Sequence, residues 1–358
     1  MKNICFVNTT NFWGGGEKLH LEYALKFAER GFNVYLAAKK NGPLYEKAKG
    51  YKLLHYDISL NNLSFLYPLK YRKLIQFFKK DKIDTIVISS SPDLKTAALS
   101  AKIAGVKNII YLRGLAVPIK YTPLNKYILK NAVTHIIPNS EETKRMMLKN
   151  INDPKIDEKI NVIYHGIDLK EFDEKPIEKL FEKDKVLLGN AGRLTPQKGQ
   201  KYLISLAELL KNKGVDFKLM IAGDGELKEE LQELIKEKGL EKHVILLGFI
   251  ADMESFMNSI DIFILSSEWE GFGYVIVEAM AASKPVIAFD ITSNPEIISQ
   301  NNTGFLIKYP DVEAMAEKAE TLIQNEKLRK SMGMDARKSV ENKFQLDDKI
   351  TEIINLFQ

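Results

Sequence analysis

The feature that most constrains the fold is an alternation of short β-rich segments with longer amphipathic segments along the whole chain. The predicted strands are residues 4–7, 34–37, 85–88, 109–112 and 135–137, followed by a second series at 186–189, 217–221, 244–247, 262–265, 286–288 and 305–307. The predicted helices between them include 18–30, 94–104, 200–212, 227–237 and 275–282. Strands that alternate with helices build parallel sheets with helices on both faces. The sequence therefore predicts an α/β protein with two such sheets.

The two series of strands indicate two domains, which a chain of 358 residues is long enough to form. Residues 166–184 are charged and lack apolar periodicity, so we interpret them as an interdomain linker. We expect a Rossmann-like domain over 1–165, a second over 185–340, and a C-terminal helix within 341–358 that returns to the first domain. Ligands of such sheets collect at the carboxyl ends of the strands. We therefore expect the two domains to face each other across a cleft that holds the active site.

A charge asymmetry divides the chain between its two halves. Residues 1–150 hold 25 of the 52 Lys and Arg residues but only 10 of the 47 Asp and Glu residues. Within them, residues 65–80 and 120–130 interleave aromatic and cationic side chains, as in segments that rest on anionic lipid. The alternatives are a helix with a solvated basic face, and nucleic-acid binding, for which we find no recognition motif. We expect peripheral contact with an anionic membrane surface, and no nucleic acid.

Cysteine content and hydropathy indicate the compartment. The single cysteine, Cys5, lies in the first predicted strand and has no partner for an internal disulfide, which is typical of a reducing cytoplasm. We find neither a secretory leader nor an apolar segment long enough to span a bilayer. The expected location is the cytoplasm, with peripheral contact at the inner membrane face.

Three consecutive glycines, Gly14, Gly15 and Gly16, follow the first predicted strand and precede a helix, with Glu17 next. Glycines there let the backbone approach a ligand and direct amide groups toward it. The dinucleotide fingerprint would need a further glycine at the position of Leu19, so the spacing argues against a nicotinamide enzyme. A flexible turn is the alternative. The position at the sheet edge favours contact with a ligand.

Two cations, Arg193 and Lys198, stand on the loop after the first strand of the second series. A departing nucleoside diphosphate gains negative charge as a glycosidic bond breaks. A guanidinium and an ammonium placed around it would stabilise that charge most in the transition state. The alternative is a pair of solvated surface cations.

A turn and a helix follow the predicted strand that ends at Leu265. The helix begins near Gly273, and its N-terminus is an anion site suited to a diphosphate. Glu270 lies in the turn. Glu278 lies on the helix among apolar neighbours, where two ribose hydroxyls would satisfy its carboxylate. An exposed helix residue is the alternative for Glu278.

Two further glycine turns follow strands of the second series, at the carboxyl ends where ligands collect. The turn at Gly223 is interpreted mainly as structural. Backbone groups near Gly248 and the ring of Phe249 are expected to receive a nucleobase.

These segments together resemble the GT-B fold retaining glycosyltransferases of the family 4 type. The matching residues, in chain order, are Gly14 to Gly16, Gly166-Ile167-Asp168, Gly192-Arg193 with Lys198-Gly199, Ala222 to Gly225, and Glu270-Gly271-Phe272-Gly273 through Glu278-Ala279. Glu270 and Glu278 match the paired glutamates of that family. The resemblance covers nearly the whole chain and is strongest over residues 189–307.

The resemblance implies a role for each matching residue. Arg193, Lys198 and Glu270 form the catalytic group, in which the two cations hold the donor diphosphate and Glu270 positions the donor sugar. The other implied donor contacts are Gly15, Gly16, Gly248, Phe249, Gly271, Phe272, Gly273, Val275, Ile276 and Glu278. The loop of Gly14 to Gly16 would face both the donor phosphate and the acceptor, and Gly14 and Glu17 are grouped with the residues whose place is on the acceptor side or open. No metal and no cofactor are implied.

One position departs from the family pattern. Many members carry a histidine just after the strand that here ends at Leu112, whereas this chain has Arg113. We hypothesise that Arg113 stabilises the departing phosphate. His165, which we group with the acceptor side, is the histidine expected to see the cleft, and His135 is interpreted as a structural residue.

The resemblance implies transfer of a sugar, with retention of anomeric configuration, from a UDP-type or GDP-type nucleotide sugar. The acceptor would be a hydroxyl of a glycan, a glycolipid or a lipid-linked molecule. The expected setting is bacterial cell-surface polysaccharide or lipopolysaccharide biosynthesis. A nucleotide-sugar 2-epimerase of similar architecture is the first alternative, although the sequence lacks obvious additional acid–base residues for it, and a nucleic-acid-binding protein that uses the basic half is the second.

Overall fold

Two six-stranded parallel sheets organise the protein, as the alternating pattern predicts. The computed structural model describes residues 2–178, 180–182 and 184–357. The chain divides into two units, which we call the first unit, Met1–Tyr164 with Asp347–Gln358, and the second unit, His165–Leu346. Each unit contains one of the two sheets, so the α/β fold class is confirmed.

The first unit is built on six strands. They are β1 Asn3–Val7, β2 Asn33–Ala38, β3 Leu54–Asp57, β4 Thr85–Ile88, β5 Asn108–Arg113 and β6 His135–Pro138, in the order β3-β2-β1-β4-β5-β6. The helices are α1 Gly15–Glu29, α2 Pro43–Ala48, α3 Pro68–Lys80, α4 Ser91–Ala104, α5 Pro123–Tyr127, α6 Glu141–Leu148 and α7 Pro154–Asp157. A 3₁₀ turn occupies Ser64–Leu66 and a π-helical turn Ile128–Ala132.

The second unit repeats this plan. Its strands are β7 Val186–Ala191, β8 Phe217–Ala222, β9 Val244–Gly248, β10 Ile262–Leu265, β11 Val286–Phe289 and β12 Gly304–Ile307, in the order β12-β11-β10-β7-β8-β9. Its helices are α8 Leu169–Glu174, α9 Gln200–Asn212, α10 Lys228–Glu237, α11 Met253–Ser259, α12 Tyr274–Ala281, α13 Asn294–Ile297, α14 Val312–Gln324 and α15 Glu326–Lys343, and a 3₁₀ turn lies at Pro196–Lys198. The final helix, α16, spans Leu346–Asn355.

Both sheets have the same strand order, and both change winding direction at the first strand of the unit. In the first unit β1 lies between β2 and β4, and in the second β7 lies between β8 and β10. Loops at the carboxyl ends of the strands beside such a switch point are where open α/β sheets bind ligands. The loops after β1, β4, β7 and β10 are therefore the positions to search.

Strand β3 was not predicted from the sequence. Leu54–Asp57 pairs in parallel with β2 but lies at the edge of the sheet, and most of its residues are exposed. An edge strand has no need of the continuous apolar run that marks a buried parallel strand. The pattern that identified its neighbours is therefore absent from it.

The structure differs from the expected boundaries at residues 166–184 and at residue 340. The first part of the expected linker contains α8 and belongs to the second unit, where Ile167 and Phe172 are buried. The amide of Ile167 donates to the carbonyl oxygen of Phe344 at 2.8 Å, and Leu346 donates to Ile167 at 3.0 Å. Helix α15 runs through the boundary predicted at 340. A charged segment can still pack through a few buried apolar side chains. These are too few to produce an apolar periodicity, so the sequence pattern predicted a linker.

Helix α16 supplies part of the first unit. The ring of Phe357 stacks on Phe27 with centroids 6.2 Å apart, and Arg30 forms an ion pair of 3.0 Å with Asp347. Ile350 and Ile353 are buried. The core of the first unit is therefore completed by residues that come more than 300 positions after its first strands.

Candidate active site

The loop after β7 packs tightly against the loop after β10. Gly199 has φ of +60°, and a Cβ there would collide with the carbonyl oxygen of Ser266. The Ser266 hydroxyl donates to the Lys198 carbonyl at 2.9 Å, and the Glu268 amide donates to the Gln197 carbonyl at 2.8 Å. Glycine is required at 199 both for its positive φ and for this close approach. The contact brings two distant segments of sequence into one site.

Lys198 and Glu270 form an ion pair at this junction. The Lys198 Nζ lies 2.6 Å from Glu270 Oε1, and the Ser267 hydroxyl donates to the same oxygen at 2.6 Å. The Glu270 side chain is only 8% exposed. A buried ion pair is retained at a cost in desolvation and needs additional hydrogen bonds of this kind. Among the described residues no donor meets the second oxygen, Oε2, so it is available to a ligand hydroxyl.

Helix α12 begins directly after Glu270-Gly271-Phe272-Gly273. Gly273 has φ of +70° and caps the helix without a side-chain hydrogen bond to its first amides. The Ile276 amide donates back to Gly273 at 2.8 Å. Val275 is half-buried and Ile276 is buried. The N-terminus of α12 therefore presents backbone amides and the positive end of its dipole beside the Lys198–Glu270 pair.

His165 lies in the second unit, against Phe272. Their ring centroids are 5.3 Å apart in an edge-to-face arrangement, and Phe344 contacts Phe272 from another side at 5.9 Å. Phe272 is buried, and burial lowers the pKa of His165 to about 3. A neutral imidazole therefore supports the turn that carries Glu270. Its observed ring contact is with the segment predicted to bind the donor, and its grouping with the acceptor side stays a prediction.

Arg193 and Glu278 occupy different environments. Arg193 is exposed, and among the described residues its guanidinium has no hydrogen bond or ion pair. Its backbone is held by the Gln200 side chain, which donates to the Arg193 carbonyl at 3.0 Å. Glu278 is half-buried on α12, one turn after Tyr274. A free guanidinium on this loop is suited to an anionic ligand.

The turns at Gly223 and Gly225 support the loop that carries Arg193. A Cβ at Gly223 would collide with the carbonyl oxygen of Gly192, and one at Gly225 with that of Leu194. The Leu194 amide also donates to the Asp224 carbonyl at 3.0 Å. These glycines are needed for packing of backbone on backbone, as the structural interpretation of the Gly223 turn predicts.

Gly248 and Phe249 stand at the end of β9. Gly248 has φ of +73° and accepts a hydrogen bond of 2.7 Å from the Gly223 amide. The Phe249 side chain is 74% exposed. A large aromatic ring left in solvent beside a strand end is a surface on which a flat base can stack. Its contact with a nucleobase stays a prediction.

Gly15 and Gly16, at the start of α1, have no packing role against the described residues. Helix α1 starts at Gly15 after an extended Gly14, and both Gly15 and Gly16 are exposed. A Cβ at either position would meet no atom of the described part of the chain within 4 Å. Open space above the first amides of a helix is what a ligand that contacts the backbone requires.

Glu17 lies beneath this glycine loop and is nearly fully buried. Its Oε1 accepts a hydrogen bond of 3.1 Å from Thr10, which also donates to Asn8 at 2.8 Å. Burial raises the pKa of the Glu17 carboxyl, and hydrogen bonds from Thr10 and Asn8 oppose the increase. The carboxylate therefore connects the end of β1 to the start of α1.

Arg113 is 5% exposed and bound internally. Its Nη1 donates to the Ser91 hydroxyl at 2.9 Å and to the Tyr111 hydroxyl at 3.1 Å, and its Nη2 donates to the Val117 carbonyl at 2.9 Å. Within the described chain it has no carboxylate partner, and its buried Nε has no acceptor. These bonds give Arg113 a role in holding residues 114–117 that the phosphate hypothesis does not include. The phosphate contact stays a prediction.

His135 behaves as the structural residue that the sequence indicates. Its Nδ1 lies 2.9 Å from the Thr134 hydroxyl, and burial lowers its pKa. It begins β6, at the opposite end of the strand from the carboxyl edge.

Two hydroxyl residues that contact Glu270 in the second unit were not among the site residues predicted from the sequence. Ser267 bonds the Glu270 carboxylate, and Thr292 accepts a hydrogen bond of 3.1 Å from the Glu270 amide. Each follows a central strand of the second sheet closely, Ser267 after β10 and Thr292 after β11. Their position at the carboxyl ends of strands marks them, because ligands collect there. The predicted site residues at these strand ends were charged residues and glycines, and the hydroxyl residues were left out.

In the described ranges 2–178, 180–182 and 184–357, no three His, Cys, Asp or Glu side chains converge as metal ligands would. No described helix combines the length and the apolar character needed to cross a bilayer.

Two family models match the chain: Glycosyltransferase Family 4 over residues 13–171, and Glycosyl transferases group 1 over residues 171–339. The N-acetylgalactosamine-N,N'-diacetylbacillosaminyl-diphospho-undecaprenol 4-alpha-N-acetylgalactosaminyltransferase of Campylobacter jejuni is 32% identical over 75% of this chain and 74% of its own length. The poly(ribitol-phosphate) alpha-N-acetylglucosaminyltransferase of Staphylococcus aureus is 27% identical over 94% of this chain, which spans 66% of that relative.

A solved structure extends the likeness to the fold. Anabaena HepE, crystallised with UDP and glucose, aligns with a TM-score of 0.85 over 99% of both chains at 22% identity. That similarity shows a common GT-B architecture. Together with the family models and the identity to the Campylobacter relative, it establishes that this chain belongs to the GT-B glycosyltransferases of the family 4 type.

Proposed function

We propose that this glycosyltransferase moves a sugar from a UDP-type nucleotide sugar to a hydroxyl of a lipid-linked or surface glycan, with retention of anomeric configuration and without a metal ion. The observation that carries the proposal is the buried Lys198–Glu270 pair beside the N-terminus of α12. It combines a cation, a carboxylate oxygen free for a sugar hydroxyl, and helix amides for a diphosphate. The family assignment favours transfer over the epimerase and nucleic-acid alternatives.

The donor end of the reaction follows from this geometry. The diphosphate would lie on the amides of Val275 and Ile276, of which the second is shared with the Gly273 carbonyl, with Arg193 and Lys198 opposite the charge that develops on it. Glu270 Oε2 would accept a hydrogen bond from a sugar hydroxyl. Glu278, one turn into α12, would accept both ribose hydroxyls.

The transfer step exchanges one glycosidic bond for another. The bond between the anomeric carbon and the phosphate oxygen breaks, and its electrons leave with the nucleoside diphosphate. The acceptor oxygen bonds to the anomeric carbon on the same face. Its proton passes to the departing phosphate, so no separate protein base is needed. Donors prearranged around the phosphate stabilise this transition state more than the bound donor.

The substrate classes are supported by the relatives. HepE was crystallised with UDP, and an Escherichia coli relative is named a UDP-Gal:alpha-D-GlcNAc-diphosphoundecaprenol alpha-1,3-galactosyltransferase, with 27% identity over 99% of this chain. The Campylobacter relative is likewise named for a diphospho-undecaprenol acceptor. We infer that this chain uses an acceptor of that class, in bacterial cell-surface polysaccharide or lipopolysaccharide biosynthesis.

Nucleotide binding tests the donor site directly. Thermal shifts would be recorded with UDP, GDP and ADP, each with and without a chelator, on the wild type and on Glu278→Ala. We expect UDP to stabilise the wild type but not Glu278→Ala, and the chelator to leave this thermal shift unchanged. Lys201→Ala is the control, because Lys201 is exposed and pairs with Glu268. If none of the three nucleotides stabilised the wild type, the proposal would fail.

We also propose that the first unit docks on an anionic membrane, in the cytoplasm and without spanning it. The large apolar side chains of the segment before and at the start of α3 are 56–72% exposed: Leu63, Leu66, Tyr67 and Leu69. Beside them an apolar groove of about 440 Å³ is lined by Phe65, Leu66, Pro68, Tyr71, Arg72, Leu99 and Ile103. Cations stand at its rim, and the Nζ of Lys95 lies 4.9 Å from the Phe65 ring centroid. An apolar patch with a basic rim fits anionic lipid.

Flotation with lipid vesicles tests the membrane proposal. We expect the wild type to float with phosphatidylglycerol vesicles at low salt, to float poorly with phosphatidylcholine, and to be released by salt near ~0.5 M, where screening is strong. Leu66→Asp with Leu69→Asp should abolish flotation. Met334→Asp is the matched control, an equally exposed apolar residue in the second unit. Flotation that is unaffected by the paired change would count against this surface.

A further inference from the structure

Thr292 has a backbone conformation that threonine rarely adopts. It follows β11 in a turn closed by a hydrogen bond of 3.0 Å from the Asn294 amide to the Ile291 carbonyl. Thr292 has φ of +46°, and Ser293 has φ of −90° and ψ of −4°. These angles match a type II′ turn, whose first central position normally holds glycine. A β-branched residue with positive φ is a true outlier, and such outliers cluster at functional sites.

The side chain of Thr292 reaches the residue at the centre of the proposed site. Its Oγ1 accepts a hydrogen bond of 3.1 Å from the Glu270 amide. The Glu270 carboxylate is held separately by Lys198 and Ser267, both at 2.6 Å. The Glu270 backbone is therefore held by the loop of Thr292. Its side chain is held by Lys198 from the loop after β7 and by Ser267 of its own loop. Glycine would relieve the strain in the turn but would leave the Glu270 amide without this acceptor.

The two residues after Thr292 are also unusual. The Ser293 hydroxyl and the Asn294 Oδ1 are fully buried and have no hydrogen-bond partner in the described part of the chain. The Asn294 amide group donates to the Phe289 carbonyl at 2.9 Å, which fixes its orientation. Asn294 Oδ1 lies 3.5 Å from the place that a Cβ on Gly273 would occupy. The turn that contains Thr292 thus contacts Glu270 and also approaches Gly273, the residue that caps the N-terminus of α12.

We propose that Thr292 is a positioning residue, which sets the peptide of Glu270 and so aims Oε2 and the following amides at the donor sugar. The proposal rests on the proposed donor site. A hydroxyl is needed because a buried amide without an acceptor carries the full cost of desolvation. A strained residue persists only where the surrounding structure holds it in place, and here its hydrogen bond to the Glu270 amide helps to do so.

The proposal predicts a separation of binding from chemistry. Uridine diphosphate would still meet the helix amides and the cations when Thr292 is changed, so its Kd should stay within about threefold. The sugar would lose its alignment, so kcat should fall by about 10- to 100-fold, because small misplacements of reacting groups are costly. A merely structural role would instead lower binding and turnover together.

Four variants form the experiment: Thr292→Val, Thr292→Gly, Thr292→Ser and Asn301→Gly. Val keeps the branched shape without the hydroxyl, Gly relieves the strain, and Ser keeps the hydroxyl. Asn301 has φ of +63° in another turn of the second unit, so its change to Gly controls for relief of strain alone. The readouts are the Kd for UDP, kcat and KM for the donor, the melting temperature, and hydrogen exchange at the Glu270 amide.

We expect Val and Gly at position 292 to lower kcat and to speed exchange of the Glu270 amide, while Ser restores both. The Gly variant should melt no lower than the wild type. Full turnover in the folded Gly variant, or unchanged exchange at Glu270, would overturn the proposal. Loss of UDP binding in parallel with turnover would overturn it as well. Failure of the wild type to bind UDP would instead refute the donor site, and the exchange measurement would still decide whether Thr292 holds Glu270.

Discussion

The two sheets share a strand order but differ in how their ligand-facing loops are supported. In the second unit, charges pair with each other at Lys198 and Glu270, and glycines such as Gly225 press backbone against backbone. In the first unit, among the described residues, Arg113 bonds two hydroxyls and a carbonyl without a carboxylate partner, and a Cβ at Gly16 would meet no atom within 4 Å. The ligand-facing loops of the second unit are fixed by contacts within the protein, whereas those of the first unit leave space above the glycine loop.

Stability and function are therefore linked to different degrees in the two sets of loops. A change in the loops of the second unit disturbs contacts that hold the fold and the proposed donor site together. A change at the open glycines of the first unit removes no internal contact. Changes at the packed glycines and at the Lys198–Glu270 pair of the second unit should therefore affect stability and turnover jointly, whereas changes at the glycine loop of the first unit should affect turnover without a loss of stability.

The largest effect is expected for Lys198→Ala. Glu270 would keep its buried carboxylate without a cation, and the departing diphosphate would lose a charge partner. We expect kcat/KM to fall by about 10²–10³-fold, the usual cost of removing one preorganised electrostatic group. A double variant with Glu270→Ala should cost much less than the sum of the single changes, because the pair acts together. Strict additivity in steady-state kinetics would show that the pair does not act as a unit.

A paired alanine substitution tests the glycine comparison. Gly225→Ala should destabilise the protein by about 3 kcal/mol in chemical denaturation, because its Cβ would collide with the Leu194 carbonyl. Gly16→Ala should be neutral or stabilising by up to about 1 kcal/mol, since alanine favours the helix, yet it should slow transfer. Equal loss of stability in both variants would contradict the distinction between the ligand-facing loops of the two units.

The arginines give a smaller contrast of the opposite kind, because Arg113 of the first unit is buried and bonded whereas Arg193 of the second unit is exposed. Arg113→Ala should cost about 2 kcal/mol of stability, because the Val117 carbonyl and two hydroxyls lose their donor. Arg193→Ala should change stability by less than about 0.5 kcal/mol, as exposed positions do, but should weaken UDP binding in calorimetry. A stability loss at Arg193 that matched the loss at Arg113 would contradict the structure.

The smallest effect is a pH dependence of opposite sign in the two units. Burial raises the pKa of Glu17 above its usual 4.5, so its contribution to stability is present below 4.5 and is lost as the pH rises through the folded-state value. Burial raises the pKa of Asp252 too, but hydrogen bonds from Lys175 and Ser255 outweigh it and lower the value to about 2. The contribution of Asp252 is therefore present above its usual 3.8 and is lost as the pH falls toward 2.

Matched variants separate these two contributions. Glu17→Gln should flatten the decline of unfolding free energy above pH 4.5, and Asp252→Asn should flatten the decline below pH 3.8. Denaturation series at several pH values would measure both. If the unfolding free energy of a variant changed with pH as steeply as that of the wild type, the pKa of the substituted residue would not differ between the folded and unfolded states.

The sequence predicted those parts of the fold that depend on local pattern. Buried parallel strands such as β7 and β10 are continuous apolar runs, so their positions were clear, whereas β3 at the sheet edge has no such run and was missed. The boundary at residue 340 was wrong because a helix such as α15 continues wherever its own periodicity continues. Domain limits depend on which distant segments pack together.

The candidate site was predictable in its members but not in their contacts. Lys198 and Glu270 were each identified beside a strand end, yet nothing in the spacing pairs residues 72 positions apart. His165 could be assigned to the expected cleft but not to a contact with Phe272. Thr292 carries no compositional mark, because its importance lies in a dihedral angle and in the amide that its hydroxyl meets.

The return of α16 to the first unit has a consequence for synthesis on the ribosome. Domains usually complete their folding in the order in which they emerge. Here residues 165–346 can close their sheet while the first unit still lacks Phe357 against Phe27 and Asp347 against Arg30. The unit translated first is therefore completed last. A nascent chain stalled before residue 347 should hold a protease-resistant second unit joined to a first unit that is still easily cleaved.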